Sequence, residues 1–268
     1  MSQGIRKRNN VKITGSGDQP MLFAHGFGCD QAMWGSVIPF FEKDYRIITF
    51  DYVGHGKSDM SGYNPHRYSS LHGYAQDVLD IITELDLNKV IFVGHSVSCM
   101  IGMLAAIQSP EHFSELIMVG PSPHYLNDSG YHGGFERTEI LELLEGMSAN
   151  YRGWSGAMAP AIMGNADRPE LGAELTASFC STDPAVARQF AEVTFLSDNR
   201  EDLRYSPVPA LILQCADDII APGSVGKYLS EHLPDSSIVF LSATGHCPHM
   251  SAPEETAAAI NDYLNTRR

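Results

Sequence analysis

The sequence predicts an α/β fold in which a mostly parallel sheet is flanked by helices and carries an inserted helical lid. Short apolar runs of strand type recur along the 268 residues and alternate with segments of helical spacing. Nearly continuous apolar runs are typical of parallel strands that are buried on both faces. One long stretch departs from this alternation, because it carries helical patterns only. The length is sufficient for one large domain with a full core.

Six segments have the composition of buried strands. They are residues 21–24, 46–50, 90–93, 116–119, 210–213 and 238–241. Between the second and third of them, Tyr74, Val78, Ile81, Ile82 and Leu85 form one apolar stripe at helical spacing. A helix that directly precedes the strand at 90–93 is the pattern of a doubly wound sheet.

The lid is predicted from the stretch that lacks strand patterns, at about residues 124–198. The segments "RTEILELLEGM", "RPELGAELTASFC" and "DPAVARQFAEVTFLS" all have helical spacing. Asp183 followed by Pro184 is a good pair for the N-cap and the first position of a helix. We therefore expect a first core part at residues 1–123, a helical lid at 124–199 and a second core part at 200–268.

Composition excludes several classes of function. The net charge is −14, and the basic residues form no block beyond Arg6 to Arg8, so we expect no nucleic-acid and no membrane-surface partner. The N-terminal "MSQGIRKRNN" has no apolar region of the secretory type, and no stretch is long and apolar enough to span a bilayer. The five cysteines are odd in number and scattered, which is typical of reduced thiols in the cytoplasm.

The segment "IFVGHSVSCM", residues 91–100, nearly matches the G-x-S-x-G elbow of serine hydrolases. In that turn the serine lies between a strand and a helix, and the residues two before and two after it must be small. Gly94 meets the first requirement, and Ser98 replaces the second glycine with a side chain that is only slightly larger. Alone, the pattern is compatible with a nucleophile at Ser96 or with a chance serine after a buried strand.

A serine nucleophile needs a base and an orienting acid, which follow it in this class in the order serine, acid, histidine. "LILQCADDIIAP" supplies Asp217 and Asp218 after one strand, and "VFLSATGHCPHM" supplies His246 and His249 after the next. Three features in this order predict a catalytic triad. The glycine before His246 favours His246 over His249 as the base. The acid of the triad is either Asp217 or Asp218, because the two are adjacent.

Residue types also bear on two other kinds of site, a metal site and a cofactor site. His246, Cys247 and His249 are potential metal ligands, but no matching ligand pair stands elsewhere in the sequence, so we expect no metal. The glycine-rich turn "DYVGHGKSD" spells neither a dinucleotide fingerprint nor a phosphate-binding loop, and we expect no cofactor.

An oxyanion requires two backbone N–H donors. One is expected from Val97, directly after the serine, and the other from Phe27 in "MLFAHGFGCD", where Gly26 and Gly28 let the loop fold inward. An ordinary glycine-rich loop between a strand and a helix would have the same sequence.

With these residues in place, the chain resembles the α/β-hydrolase superfamily from about residue 12 to residue 264. More narrowly, it is similar to the RsbQ-like stress-signalling hydrolases of Bacillus and to the plant strigolactone and karrikin receptors. The segments that carry this resemblance are "FAHGFGCDQAMW", "FDYVGHGKSD", "YAQDVLDIITELDL", "VGHSVSCMIGMLA", "MVGPSPHYLND", "FCSTDPAVARQFA", "LILQCADDIIAP" and "TGHCPHMSAPEET". "GHSVS" resembles the receptors, and "FCSTDPAVARQFA" and "QCADDIIAP" resemble RsbQ more closely.

The resemblance implies specific roles. The spacing from Asp218 to Pro222 marks Asp218 as the acid, and that from Gly245 to Pro248 marks His246 as the base. The resemblance also implies a lid of four helices over a small apolar pocket. The candidates to line that pocket are Phe27, Phe135, Trp154, Met158 and Phe195.

RsbQ-like proteins are positive regulators of an energy-stress pathway and work with a PAS-domain phosphatase that controls a general-stress sigma factor. The resemblance thus implies a signalling role and such a phosphatase as partner. We expect a cytoplasmic serine hydrolase of a small apolar ester or lactone. The alternatives are a receptor that signals through a protein partner with incidental or very slow hydrolysis, and a housekeeping carboxylesterase.

Overall fold

A computed structural model describes residues 4–267. In this part of the chain, seven strands form one sheet in the order β1-β3-β2-β4-β5-β6-β7. The strands are β1 (Lys12–Thr14), β2 (Gln19–Ala24), β3 (Tyr45–Thr49), β4 (Val90–His95), β5 (Phe113–Val119), β6 (Ala210–Asp217) and β7 (Ser236–Thr244). β1 runs antiparallel to β3, and the other neighbouring pairs are parallel. The prediction of a mostly parallel sheet is confirmed.

Helices cover both faces of this sheet, because alternate strand residues point to opposite sides. The α-helices of residues 4–267 are α1 (Ile5–Arg8), α2 (Leu71–Glu84), α3 (Val97–Gln108), α4 (Arg137–Ala149), α5 (Tyr151–Met163), α6 (Pro169–Ser181), α7 (Pro184–Phe195), α8 (Gly223–His232), α9 (Pro248–Ser251) and α10 (Pro253–Arg267). Leu22 and Phe92 pack in one core with α2, α3 and α8. Met21 and Ile91 pack in a second core with α10 and the inserted helices. Each central strand is thus buried on both faces.

The inserted helices are α4, α5, α6 and α7, which lie in the chain between β5 and β6. The prediction of a helical insertion is confirmed; we call these four helices the cap. The Asp183 carboxylate accepts the N–H groups of Ala185 and Val186, and Pro184 opens α7. The segment boundaries at 124 and 199 stay a prediction, and residues 1–3 and 268 of the outer segments lie outside the described residues.

The sequence patterns missed β1, placed β3 one residue too late and predicted the other strands too short. β1 has three residues, all exposed, at the edge of the sheet, so no apolar run marks it. Polar residues such as Gln19 and Asp217 extend β2 and β6, because a parallel ladder is held by backbone groups whatever the side chain. Among the helices of residues 4–267, none is long and apolar enough to cross a bilayer.

Candidate active site

Ser96 lies in the turn between β4 and α3, at the carboxyl edge of the sheet. Its backbone has φ 56° and ψ −123°, a strained combination for a residue with a side chain. Gly94 is required here, because a Cβ on it would lie 2.8 Å from the backbone carbonyl of Ser98. Because the strand and the helix pass so closely, the chain turns sharply at Ser96. The Ser96 side chain therefore points away from both elements.

Three side chains from different loops meet at this edge. Ser96 Oγ lies 2.8 Å from His246 Nε2, and His246 Nδ1 lies 2.7 Å from Asp218 Oδ2. Because a carboxylate only accepts, the imidazole proton is on Nδ1, and Nε2 accepts the serine hydroxyl. All three residues are buried. The arrangement can take a proton from Ser96 and stabilise the imidazolium that results.

The two aspartates left open by the sequence differ in environment. Asp218 Oδ1 accepts the N–H groups of Ile220 and Ala221, while Oδ2 faces His246. Burial alone would raise the pKa of Asp218, but His246 and the two N–H donors hold it below its ordinary value. Asp217 is exposed, and its backbone carbonyl accepts the Gly245 N–H at 2.6 Å. The structure therefore brings Asp218, and not its neighbour, to the histidine.

His249 is fully buried beside the site, with its ring centroid 4.6 Å from Trp34 and 4.4 Å from His95. In the described part of the chain, the group that could hold a metal is His95, Cys247 and His249, whose ligand atoms lie within 4.8 Å of one another. His246 is not part of this group, and its two ring nitrogens face Asp218 and Ser96. Burial, followed by the charge of His246, lowers the pKa of His95 to about 3, so this ring is neutral. The expectation of no metal stays a prediction.

The two predicted N–H donors border the same edge. Val97 is the first residue of α3, where backbone N–H groups have no partner in the helix. Phe27 follows β2, in a loop where Gly28 has φ 72° and a Cβ on Gly26 would lie 2.5 Å from His95 Nδ1. Within residues 4–267, neither the Val97 nor the Phe27 N–H donates a hydrogen bond.

A cavity of about 20 Å³ lies between this edge and the cap. That volume has room for about one water. The residues that line it are Phe27, Cys29, His95, Ser96, Tyr125, Ile162, Leu175, Phe179, Thr194, Phe195, Ile220, His246 and Cys247. A larger groove of about 740 Å³ lies between α2 and α7, and none of the three site residues lines it.

The structure brings two of the five predicted pocket residues, Phe27 and Phe195, to this cavity. Phe135, Trp154 and Met158 do not line this cavity and are partly buried against the second core instead. Trp154 stacks on Phe179 at 5.9 Å between ring centroids, and Phe135 meets the edge of Phe195 at 6.2 Å. In each pair only the partner, Phe179 or Phe195, lines the cavity.

The sequence reasoning also missed Tyr125 and Phe179. The Tyr125 hydroxyl lies 3.4 Å from Ser96 Oγ, and burial raises the pKa of Tyr125, so the phenol stays protonated. Its position just after the carboxyl end of β5 puts it on the same edge as the other loops, which is a usable signal. Phe179 lies near the C-terminal end of a cap helix, where helical spacing alone does not distinguish a residue that lines the cavity from one that packs between helices.

A parallel sheet that presents a serine at a strand–helix turn, beside a histidine and a buried acid, defines the α/β-hydrolase class. The model of the alpha/beta hydrolase family matches residues 21–259, and the chain belongs to this family. It is 41% identical over 258 residues to strigolactone esterase RMS3 of Pisum sativum, with 96% of each chain covered. It is 39% identical to karrikin insensitive 2 receptor CA of Petunia hybrida, with 97% of each covered.

A solved structure shows the same likeness. A hydrolase from Oleispira antarctica superposes with a TM-score of 0.95 and is 44% identical, covering 97% of this chain and 96% of its own. The similarity therefore includes the cap as well as the sheet.

Proposed function

We propose that this chain is a serine hydrolase that cleaves a small apolar ester or lactone. The observation that carries the proposal is the buried relay from Ser96 to His246 to Asp218, with contacts of 2.8 and 2.7 Å. The similarity to strigolactone esterase RMS3 supports it. The apolar lining of the cavity favours an apolar substrate.

In the proposed first step, Ser96 Oγ attacks the ester carbonyl carbon while its proton passes to His246 Nε2. The carbonyl π pair moves to oxygen, and the Phe27 and Val97 N–H groups stabilise the resulting negative charge. Collapse of this intermediate breaks the bond to the alcohol, which takes the proton from His246 and leaves an acyl group on Ser96.

In the second step, water gives a proton to His246 and attacks the acyl carbon. The bond to Ser96 then breaks, the proton returns to Ser96 Oγ, and the carboxylic acid is released. Asp218 remains ionised throughout and holds the histidine in the tautomer that both steps require.

The size of the cavity favours slow turnover. Pockets that hold drug-sized ligands are about 300–1,000 Å³, whereas this one is about 20 Å³. A substrate enters only after the aromatic side chains of the cap have moved, and release of product requires the same motion. This observation, together with the similarity to a karrikin insensitive 2 receptor, supports a second candidate function, a receptor with slow hydrolysis.

We further propose a signalling role in the cytoplasm, as a positive regulator of a stress response with a PAS-domain phosphatase as partner. This part rests on the resemblance of the "FCSTDPAVARQFA" and "QCADDIIAP" segments to RsbQ-like proteins. The five free cysteines are compatible with a reducing compartment.

The test of the hydrolase is labelling by a fluorophosphonate, which forms a bond to an activated serine and releases fluoride. We expect one adduct, located on Ser96 by peptide mass spectrometry, and none in Ser96→Ala. Acyl-enzyme trapped from a p-nitrophenyl ester should map to the same peptide. An adduct on another residue, or its persistence in Ser96→Ala, would overturn the assignment.

A further inference from the structure

Ser98 occupies the second small position of the elbow and is fully buried. Its hydroxyl forms two hydrogen bonds, neither of them to β4. Ser98 Oγ donates to the backbone carbonyl of His25, and it lies 2.9 Å from the Tyr52 hydroxyl. The close contact of the helix with Gly94 involves backbone atoms of residues 98 and 99 and not the Ser98 side chain. The side chain points instead towards the loop after β2.

The direction of each proton follows from the chemistry of the groups. The His25 carbonyl only accepts, so the Ser98 proton is used there, and the Tyr52 hydroxyl is the donor to Ser98 Oγ. Burial raises the pKa of Tyr52, which keeps its proton in place. The result is a buried chain from Tyr52 through Ser98 to the carbonyl of His25.

His25 is anchored a second time. The Tyr52 backbone N–H donates to His25 Nε2 at 3.2 Å, so the ring proton is on Nδ1, which donates to the Gly26 carbonyl at 2.9 Å. The carbonyl and the ring of His25 are thus both fixed, two residues before Phe27. A loop held on both sides keeps its next N–H groups in one orientation.

Ser98 and Val97 are neighbours in the first turn of α3, and His25 and Phe27 belong to one short loop. The Ser98–His25 bond therefore joins the two segments that carry the two N–H donors. We propose that Ser98 is a positioning residue for the oxyanion hole, and that its hydroxyl sets the distance between the Val97 and Phe27 donors. This inference rests on the proposed hydrolase function.

The test compares Ser98→Ala with wild type on a short p-nitrophenyl ester. We expect kcat to fall about tenfold, since displacement of reacting groups by 1 Å can cost about 10²-fold and a shifted loop produces part of that. KM should change less than about twofold, because the donors act mainly on the transition state. Tyr52→Phe keeps the bond from Ser98 to His25 and should lower kcat by only about threefold.

Inhibition by a trifluoromethyl ketone distinguishes misplaced oxyanion-hole donors from a general loss of structure in Ser98→Ala. Ser96 Oγ adds to its carbonyl carbon, the serine proton passes to His246, and the carbonyl oxygen becomes an alkoxide in the oxyanion hole. Its inhibition constant should rise in Ser98→Ala by the same factor by which kcat falls. The corresponding secondary alcohol, which forms no alkoxide, should bind both proteins equally well.

Ser155→Ala is the matched control, because Ser155 is also fully buried and its hydroxyl donates to a backbone carbonyl, that of Tyr151, at 2.8 Å. It should lower the melting temperature without changing kcat or the affinity for the ketone. If fluorophosphonate labels Ser96 but Ser98→Ala has unchanged kcat and ketone affinity, the positioning role of Ser98 is wrong and the hydrolase assignment stands. Absence of labelling in wild type would instead refute the hydrolase itself.

Discussion

The catalytic edge of the sheet and the cap above it are held by different forces. At the edge, each reactive group is fixed by hydrogen bonds, as Asp218 is by two N–H donors and His246 by the Asp218 carboxylate. The cap is held mainly by apolar contacts, aliphatic and aromatic; Phe179, for example, touches both Trp154 and Phe27. Hydrogen bonds are directional and fix angles, whereas apolar contacts allow repacking. The difference indicates that the catalytic side chains are held rigidly, whereas the cap above them can repack.

The two regions are joined by polar contacts next to the site. The His246 backbone N–H donates to the carbonyl of Ile162 in α5, and the Ser178 hydroxyl of α6 donates to the carbonyl of Gly28, both at 2.9 Å. A Cβ on Gly245 would lie 1.9 Å from the Met163 carbonyl. The cap therefore rests directly on the loops that carry His246 and Phe27.

The largest expected effect is at the edge. Ser96→Ala should lower hydrolysis of a p-nitrophenyl ester by at least about 10³-fold, and His246→Ala should do the same, because the two act as one unit. The double variant should be no slower than either single variant. Circular dichroism should show an intact fold, since neither change opens a large cavity. Near-normal turnover in Ser96→Ala would contradict the proposed role of this residue.

The second effect distinguishes the adjacent aspartates. Asp218→Asn should cost about 10²-fold or more in kcat, because an amide at this position favours the wrong imidazole tautomer. Asp217→Asn is the matched control, and its rate should stay within about twofold, since the side chain is exposed. Steady-state kinetics on one ester measures both. If Asp217→Asn were the slower variant, Asp217 and not Asp218 would be the acid of the triad.

A change in the cap should alter substrate preference and leave the chemistry intact. Phe179→Leu enlarges the cavity, so the ratio of kcat/KM for p-nitrophenyl octanoate to that for the acetate should rise about tenfold. Phe135→Leu is the matched control, because Phe135 does not line the cavity. Its ratio should stay near that of wild type. Equal ratios in all three proteins would show that the cavity does not select the acyl chain.

The smallest effect is at the junction of the two regions, where the His55 ring lies 5.0 Å from Phe190 of α7. Burial lowers the pKa of His55 to about 3. The folded state therefore stays neutral while the unfolded state binds a proton below about pH 6.5. The stability from this residue is complete above that pH and is lost as the pH falls towards 3.

His55→Leu should remove this dependence and reduce the loss of unfolding free energy between pH 7 and 5.5 by about 1 kcal/mol. Urea denaturation at the two pH values measures the difference. His66→Leu, at an exposed position, is the control and should leave the wild-type difference in place. If the unfolding free energy of His55→Leu fell between the two pH values as much as that of wild type, His55 would not be held neutral in the folded state.

Much of the sheet and the site could be predicted because each rests on a local pattern. Strands buried on both faces are apolar runs, and Ser96, Asp218 and His246 each follow one of them. The strand patterns could not choose between Asp217 and Asp218, because the ladder between β6 and β7 is irregular at that point and decides which residue turns inward. The family resemblance, not the local pattern, pointed to Asp218.

The lining of the cavity could not be predicted for a different reason. Helical spacing shows which residues of α5 and α6 share a face, but the rotation of each helix about its axis is set by packing between helices. In the structure Trp154 lies behind Phe179, and the inner ring alone reaches the cavity. The Ser98 hydrogen bond was hidden as well, because its partner carbonyl is 73 residues away in the sequence.

At Ser96, the backbone conformation that places the reactive hydroxyl also lowers the stability of the fold. A side chain held at φ 56° costs about 1–3 kcal/mol, which the surrounding fold must offset. Glycine adopts such a conformation freely, so its substitution here would relax the turn and remove the hydroxyl together. A search for heat-resistant variants that ignores turnover would therefore favour glycine at position 96. Only a requirement for chemistry at that oxygen retains serine there.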